Sequence, residues 1–235
     1  MLTISNWKVY DLKESVIASG NAMRLEPVEY TDEEFLKGLV RMKKLVQASK
    51  NGNVRCHDNA LTGIRVSFDL LYPQYWTPEF QRYHFADIVT SSSKMHRLLK
   101  MDLDKACNKY VTQEVIDLVN KYINLYNWIN EHELEEINQS EWHIHLRGEN
   151  INTTSKQDAL YYAWMKVVSN CPLGLQLFMR VSTNYKQLQT IYFQRKNHKL
   201  REWGNFCKFI EELPYAKELI IGEDNNFVSN ILTDE

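Results

Sequence analysis

The sequence predicts an α+β fold, mostly helical with a small antiparallel or mixed sheet, and three observations carry that prediction. Apolar residues recur at helical spacing over several long stretches, whereas a few short stretches alternate as strands do. Only 8 glycines and 5 prolines punctuate 235 residues, so turns are few and elements long. Aromatic residues make up 12% of the chain, including 13 Tyr and 6 Trp, enough bulky anchors for a well-filled core.

Taken in order, Trp7 to Leu12 alternates as a strand. Residues 11–20 then read as a short helix capped by Asp11 and stopped at Gly20. Thr31 followed by three acids starts a longer helix, whose apolar stripe runs through Phe35, Leu36, Leu39, Val40, Met42, Leu45 and Val46. Asn51 to Asn53 is a loop. Ile64 to Tyr72 alternates as a strand and is stopped by Pro73 and Pro78. After Pro78 the chain to about Ile88 reads as helix, and Met101 to Trp128 as one long amphipathic helix or a pair. Residues 131–152 are polar and read as a loop or excursion from a single domain spanning 1–235. Lys156 to Ser169 returns to helix, residues 171–174 turn, and Leu175 to Thr183 is extended. A last long helix is predicted from Tyr185 to Leu213, ended by Pro214.

With 28 Lys and Arg against 30 Asp and Glu, the net charge is −2, so no global positive field favours a long nucleic acid. A mean hydropathy of −0.46 and only short apolar runs leave nothing to cross a bilayer, which takes roughly 20 apolar residues. Residues 1–8 show no basic stretch followed by an apolar one, so the expected location is the cytoplasm. Cys56, Cys107, Cys171 and Cys207 form no CxxC pair and read as buried small hydrophobes.

None of the short nucleotide-loop, metalloprotease or hydrolase signatures is present. His143 and His145 would share one face of a strand and could begin a metal site, but no third ligand is marked. They read as a solvent-facing polar pair, and no metal is expected. Cys56 and His57 are adjacent, and adjacent side chains rarely aim at each other. The stretch from Arg82 to Arg97 is denser, interleaving Arg82, His84, Lys94, His96 and Arg97 with hydroxyls, a mixture that suits a phosphate or a solvated helix face. From Ser182 to His198 an unusual amount of amide runs along one helix. Gln187, Thr190 or Ile191, and Gln194 share a face there, with Arg195 about two turns beyond Gln187, and such a face reads base edges, flavin rings or another subunit.

These two stretches resemble the flavin-dependent thymidylate synthase family, whose signature is RHRxxSxNxxSxR. At the signature spacings this chain has Arg82, Tyr83, His84, Asp87, Val89, Ser92 and Lys94: Arg82 and Ser92 match, Lys94 is conservative, and the others depart. Downstream, Pro172-Leu, Asn184, Lys186, Leu188 and Arg195 follow the family's order, while the arginine expected before Leu-Pro falls on Val168. His57 fits the first His of an upstream family motif, and Gly63 stands at its second. The likeness runs from about residue 10 to 212.

The resemblance implies reductive methylation of dUMP with FAD, using methylenetetrahydrofolate and NADPH as co-substrates, in a homotetramer with sites between subunits. It places Arg82, His84, Asn184 and Lys186 near flavin, and Ser92, Lys94 and Arg195 near the pyrimidine deoxynucleotide. Arg195, beside the pyrimidine carbonyls, is implied as the catalytic residue; the bland alternative is a cation paired with an acid such as Glu202. Three classes remain open on this reading: a methyl-transferring enzyme, a nucleotide-binding protein on the same fold without flavin chemistry, and a non-catalytic oligomeric scaffold.

Overall fold

The computed structural model describes residues 2–50, 57–141 and 155–223. They group into two compact units, one drawn from 1–72, 76–91 and 178–235, the other from 73–75 and 92–177.

The first unit is organised on a four-stranded sheet of order β1-β2-β4-β3, formed by β1 (Thr3–Tyr10), β2 (Arg65–Pro73), β3 (Asp87–Ser91) and β4 (Gln176–Asn184). β1 runs antiparallel to β2, and β3 antiparallel to β4. The alternation in β2 sends Val66, Phe68, Leu70 and Tyr72 inward. A register shift between Ser5 and Lys8 surrounds Asn6, which takes φ 50. Asparagine tolerates that left-handed conformation, and Asp69 accepts from its side chain at 2.7 Å while Arg180 donates to its carbonyl at 2.9 Å.

Helices α1 (Leu12–Ala18) and α2 (Asp32–Lys50) pack on each other. Thr31 Oγ1 accepts from the Glu34 amide at 3.2 Å, the cap expected from its position. At Gly38 an added Cβ would lie 2.7 Å from the Val16 carbonyl oxygen, so this glycine allows α1 and α2 to approach closely. The predicted Asp11 cap differs from what forms. Asp11 adopts φ 55 and its side chain makes no capping bond, whereas a capping residue ordinarily takes an extended backbone.

After β2 the expected helix to Ile88 is only four residues long, α3 (Thr77–Phe80). Turns follow, with the Tyr83 amide donating to the Phe80 carbonyl and the Ala86 amide to that of Tyr83, and then β3. The β-branched run Ile88-Val-Thr90 favours a strand over continuing the helix. The predicted last helix is also divided, into α9 (Tyr185–Arg195) and α10 (Arg201–Glu212). Between them the His198 amide donates to the Arg195 carbonyl and the Leu200 amide to His198 Nδ1, so local bonds replace the helical ladder. The break gives Trp203, Phe206, Phe209 and Ile210 of α10 their own apolar face. It meets Phe68 and Trp76, with Phe68–Phe209 centroids 5.1 Å apart and Trp76–Trp203 centroids 4.5 Å apart. A π-helical turn, Lys217–Ile221, closes on Gly222 in the left-handed region.

The second unit holds α4 (Lys94–Arg97), α5 (Leu103–Ala106), α6 (Gln113–Glu131), α7 (Leu134–Gln139) and α8 (Lys156–Asn170). The predicted pair over 101–128 is α5 and α6, separated by a turn. Ile129, Ile137, Ala159 and Ala163 bury together where α6, α7 and α8 meet. The polar stretch from 131 opens with α7, whose Glu133 and Glu136 form a reciprocal capping box, so its acids belong to a helix start. Residues 142–154, including His143 and His145, lie outside the described residues. Among the described residues no helix is long and apolar enough to cross a membrane.

Candidate functional site

Helix α9 carries the centre of the site, and its start is pinned twice. The buried Asn184 caps it by accepting from the Gln187 amide at 2.8 Å, and the Tyr185 amide donates to the Ile64 carbonyl at 3.0 Å. Lys186 and Arg195 lie nine residues apart in sequence. At 3.6 residues per turn that puts them about 180° apart around the helix and about 13 Å along it. Each side of α9 therefore holds one of the two cations.

On one side, Lys186 Nζ lies 2.6 Å from Asp58 Oδ2 and 3.1 Å from Gln189 Oε1. Asp58 is fully buried, and its Oδ1 has no hydrogen-bond partner. Further along that side, Gln189, Thr190, Phe193 and Lys196 line an open cleft of about 350 Å³ with Ser49 of α2.

On the other side, the guanidinium of Arg195 is held by two groups from the α3 region. Nε donates to the Tyr83 hydroxyl at 2.7 Å and Nη1 to Glu79 Oε2 at 3.0 Å. Its Cζ sits 4.7 Å from the centre of the Trp203 ring and 5.6 Å from that of Tyr83. Trp203 Nε1 donates to the same Glu79 oxygen at 2.6 Å, and His198 Nε2 lies 3.5 Å from it. Tyr83 in turn donates to Gln194 Oε1 at 3.1 Å. Two amides of the face noted in the sequence are engaged within the chain, not by a ligand or another subunit: Gln194 Oε1 accepts from the Tyr83 hydroxyl, and Gln187 Oε1 accepts from the Phe85 amide at 3.3 Å.

Of the residues singled out in the sequence, Arg82 and His84 are exposed in the turns between α3 and β3, on either side of the buried Tyr83. Asn184 is buried and Lys186 partly exposed, and the polar groups of both are engaged by the protein itself. Ser92 and Lys94 belong to the second unit, half exposed, Lys94 opening α4 behind its cap Ser93. His57 is exposed beside Asp58. Val168, at the position of the family arginine, is half exposed on α8.

Glu79, Trp203 and Asp58 escaped the sequence reading. Glu79 reads as an ordinary acid in a first helical turn and Trp203 as a core aromatic, and only tertiary structure brings them to Arg195. Tyr83, noted only as a departure from the family signature, is the hydroxyl that receives Arg195 Nε.

Among the described residues the thiols offer no activated nucleophile. Burial pushes Cys107 and Cys207 up to about 11, with Cys171 and Asp104 adding to the first and Glu211 to the second. Cys171 is also raised by burial. Cys56 lies outside the described residues. Among the described residues no group of three or more His, Cys, Asp or Glu is arranged to hold a metal.

No protein-family profile matches this chain, and no curated protein sequence matches it. Solved structures do. A flavin-dependent thymidylate synthase from Helicobacter pylori, complexed with FAD and dUMP, is similar over 93% of this chain and 97% of its own, at 17% identity and a TM-score of 0.50. A second structure of thymidylate synthase X from the same organism, also with FAD and dUMP, is similar over 93% of this chain and 96% of its own, at 16% identity and a TM-score of 0.50. The chain thus has the α+β fold of the flavin-dependent thymidylate synthases, mostly helical with a small sheet.

Proposed function

We propose that this protein binds a pyrimidine deoxynucleotide of the dUMP type, with Arg195 contacting the pyrimidine. The observation that carries the reading is the fixed guanidinium of Arg195. Two of its three nitrogens are anchored, and the group rests on Trp203, so its remaining donors hold one direction. Preorganised donors are what binding or polarising a ring carbonyl requires. The likeness to structures complexed with dUMP supports the same ligand class.

The residues assigned to flavin fit that group less well. Asn184 is engaged as a helix cap, and drawing Lys186 toward a flavin phosphate would strip the fully buried Asp58 of its cation. Breaking a pair of that kind costs about 3–5 kcal/mol. Arg82 and His84 alone do not build a flavin site. A homotetramer, in which other copies add donors, belongs to the same proposal. Methyl transfer, with FAD, methylenetetrahydrofolate and NADPH as its reagents, is the second reading, and it requires a flavin site that these four residues do not build by themselves.

The test is a thermal-shift screen of the purified protein with dUMP, dTMP and other nucleotides, together with an absorbance scan between about 350 and 500 nm with and without added FAD. A ligand at 100 times its dissociation constant adds about 2.7 kcal/mol of stability, an easily resolved shift. dUMP is expected to raise the melting temperature, and Arg195→Ala to abolish the shift. A flat screen removes nucleotide binding and leaves the scaffold reading. A titratable flavin band would restore the enzyme.

A further inference from the structure

The ion pair at the heart of the site has a chemical consequence for what Arg195 can recognise. Glu79 Oε2 is approached by Arg195 Nη1 at 3.0 Å, Trp203 Nε1 at 2.6 Å and His198 Nε2 at 3.5 Å. Trp203 is fully buried, and its indole fixes the carboxylate, which in turn fixes the guanidinium. Tyr83, 7% exposed, fixes the Nε edge. The arginine side chain is 16% exposed and Glu79 34%, so the carboxylate neutralises the cation where water screens the pair only partly. A free arginine in such a place attracts phosphate through its full charge and bidentate fork. One already paired offers directed donors with little net charge, and a dianion approaching it meets the Glu79 carboxylate as well. A neutral acceptor such as a ring carbonyl oxygen meets only the donors.

We propose that Glu79 is the positioning and specificity-determining residue of Arg195: by compensating its charge and fixing its Nη1 edge, it makes the arginine a reader of a neutral pyrimidine carbonyl rather than a phosphate. This rests on the reading that Arg195 lies in the nucleotide site. Tyr83 shares the positioning but not the charge compensation, which separates the two contributions by experiment.

Calorimetric titration of the full-length protein with dUMP, with the uncharged nucleoside deoxyuridine and with inorganic phosphate tests it. Arg195→Ala is expected to weaken dUMP and deoxyuridine by the same factor, at least tenfold. If dUMP loses ten times more than deoxyuridine, Arg195 grips the phosphate and the proposal is overturned; this arm needs no variant of Glu79. Glu79→Gln, nearly isosteric, is expected to weaken deoxyuridine severalfold while inorganic phosphate gains affinity. Tyr83→Phe is expected to weaken deoxyuridine with phosphate unchanged. A purely structural Glu79 would lower the melting temperature and leave the ratio of phosphate to deoxyuridine affinity where it was, which also overturns the proposal. If Arg195→Ala changes neither ligand, or the wild type binds neither, the underlying site assignment has failed. If Arg195→Ala acts and Glu79→Gln does not, only the role of Glu79 has.

Discussion

At the scale of single residues, Lys186 and Asp58 show how a family motif position can be taken over by the fold. Lys186 stands where the resemblance puts a ligand contact, yet its ammonium compensates a carboxylate that is 0% exposed. Lys186→Met is expected to destabilise the protein by about 3 kcal/mol, because it leaves a buried charge uncompensated. The double variant with Asp58→Asn should recover part of that loss, and urea unfolding of the single and double variants measures it. A double variant no more stable than the single one would mean that the pair is not what holds Asp58. Tyr83→Phe removes a hydroxyl that both accepts from Arg195 and donates to Gln194, and a loss of about 1–2 kcal/mol is expected in the same assay. The sequence made Arg195, Asn184 and the amide face legible because they follow one another on a single helix. It left Glu79, Asp58 and Trp203 illegible because their roles come from contacts across 116, 128 and 124 positions of chain.

At the scale of elements, two glycines in helices make opposite predictions. Gly38→Ala drives a Cβ to 2.7 Å from a backbone oxygen of α1 and is expected to destabilise by about 1–3 kcal/mol. Gly204, inside α10, has nothing within 4 Å of its added Cβ, so Gly204→Ala should stabilise by roughly 0.5–1 kcal/mol through helix propensity alone. Melting temperatures of the two variants check both signs at once. The long amphipathic elements α2, α6 and α8 and the alternating β2 were legible because the hydrophobic period itself reports them. β3 was not, since an edge strand with exposed Val89 carries no inward pattern to detect. The break between α9 and α10 was also hidden: no proline or glycine marks it, and the apolar stripe resumes nearby with a phase that only burial distinguishes.

For the whole molecule, the groups displaced from their ordinary protonation among the described residues lie mostly on the alkaline side. Cys107 and Cys207 rise from 9.0 to about 11, and Tyr192 from 10.0 to about 12, through burial and then Glu211 in the case of the tyrosine. A group whose folded value is raised contributes stability that is fully present below its unfolded value and is lost as the pH rises through the folded one. The melting temperature is therefore expected to hold to about pH 9 and to fall steadily between about 9 and 12. Cys207→Ala should flatten the first part of that decline, and an unchanged profile would assign it elsewhere. At this scale the α+β character was legible from composition and periodicity, whereas the grouping of 92–177 into a unit of its own was not, because no linker-like composition marks its edges. Helix α9 has a mechanical consequence of its own. Clamped by Asp58 on one flank and Glu79 on the other, it is denied rotation about its axis, since a roll of one residue, about 100°, would tear both cations from their carboxylates together. The two pairs act as opposed keys in one shaft, so the direction in which Arg195 points is set from the far side of the helix as firmly as from the near one.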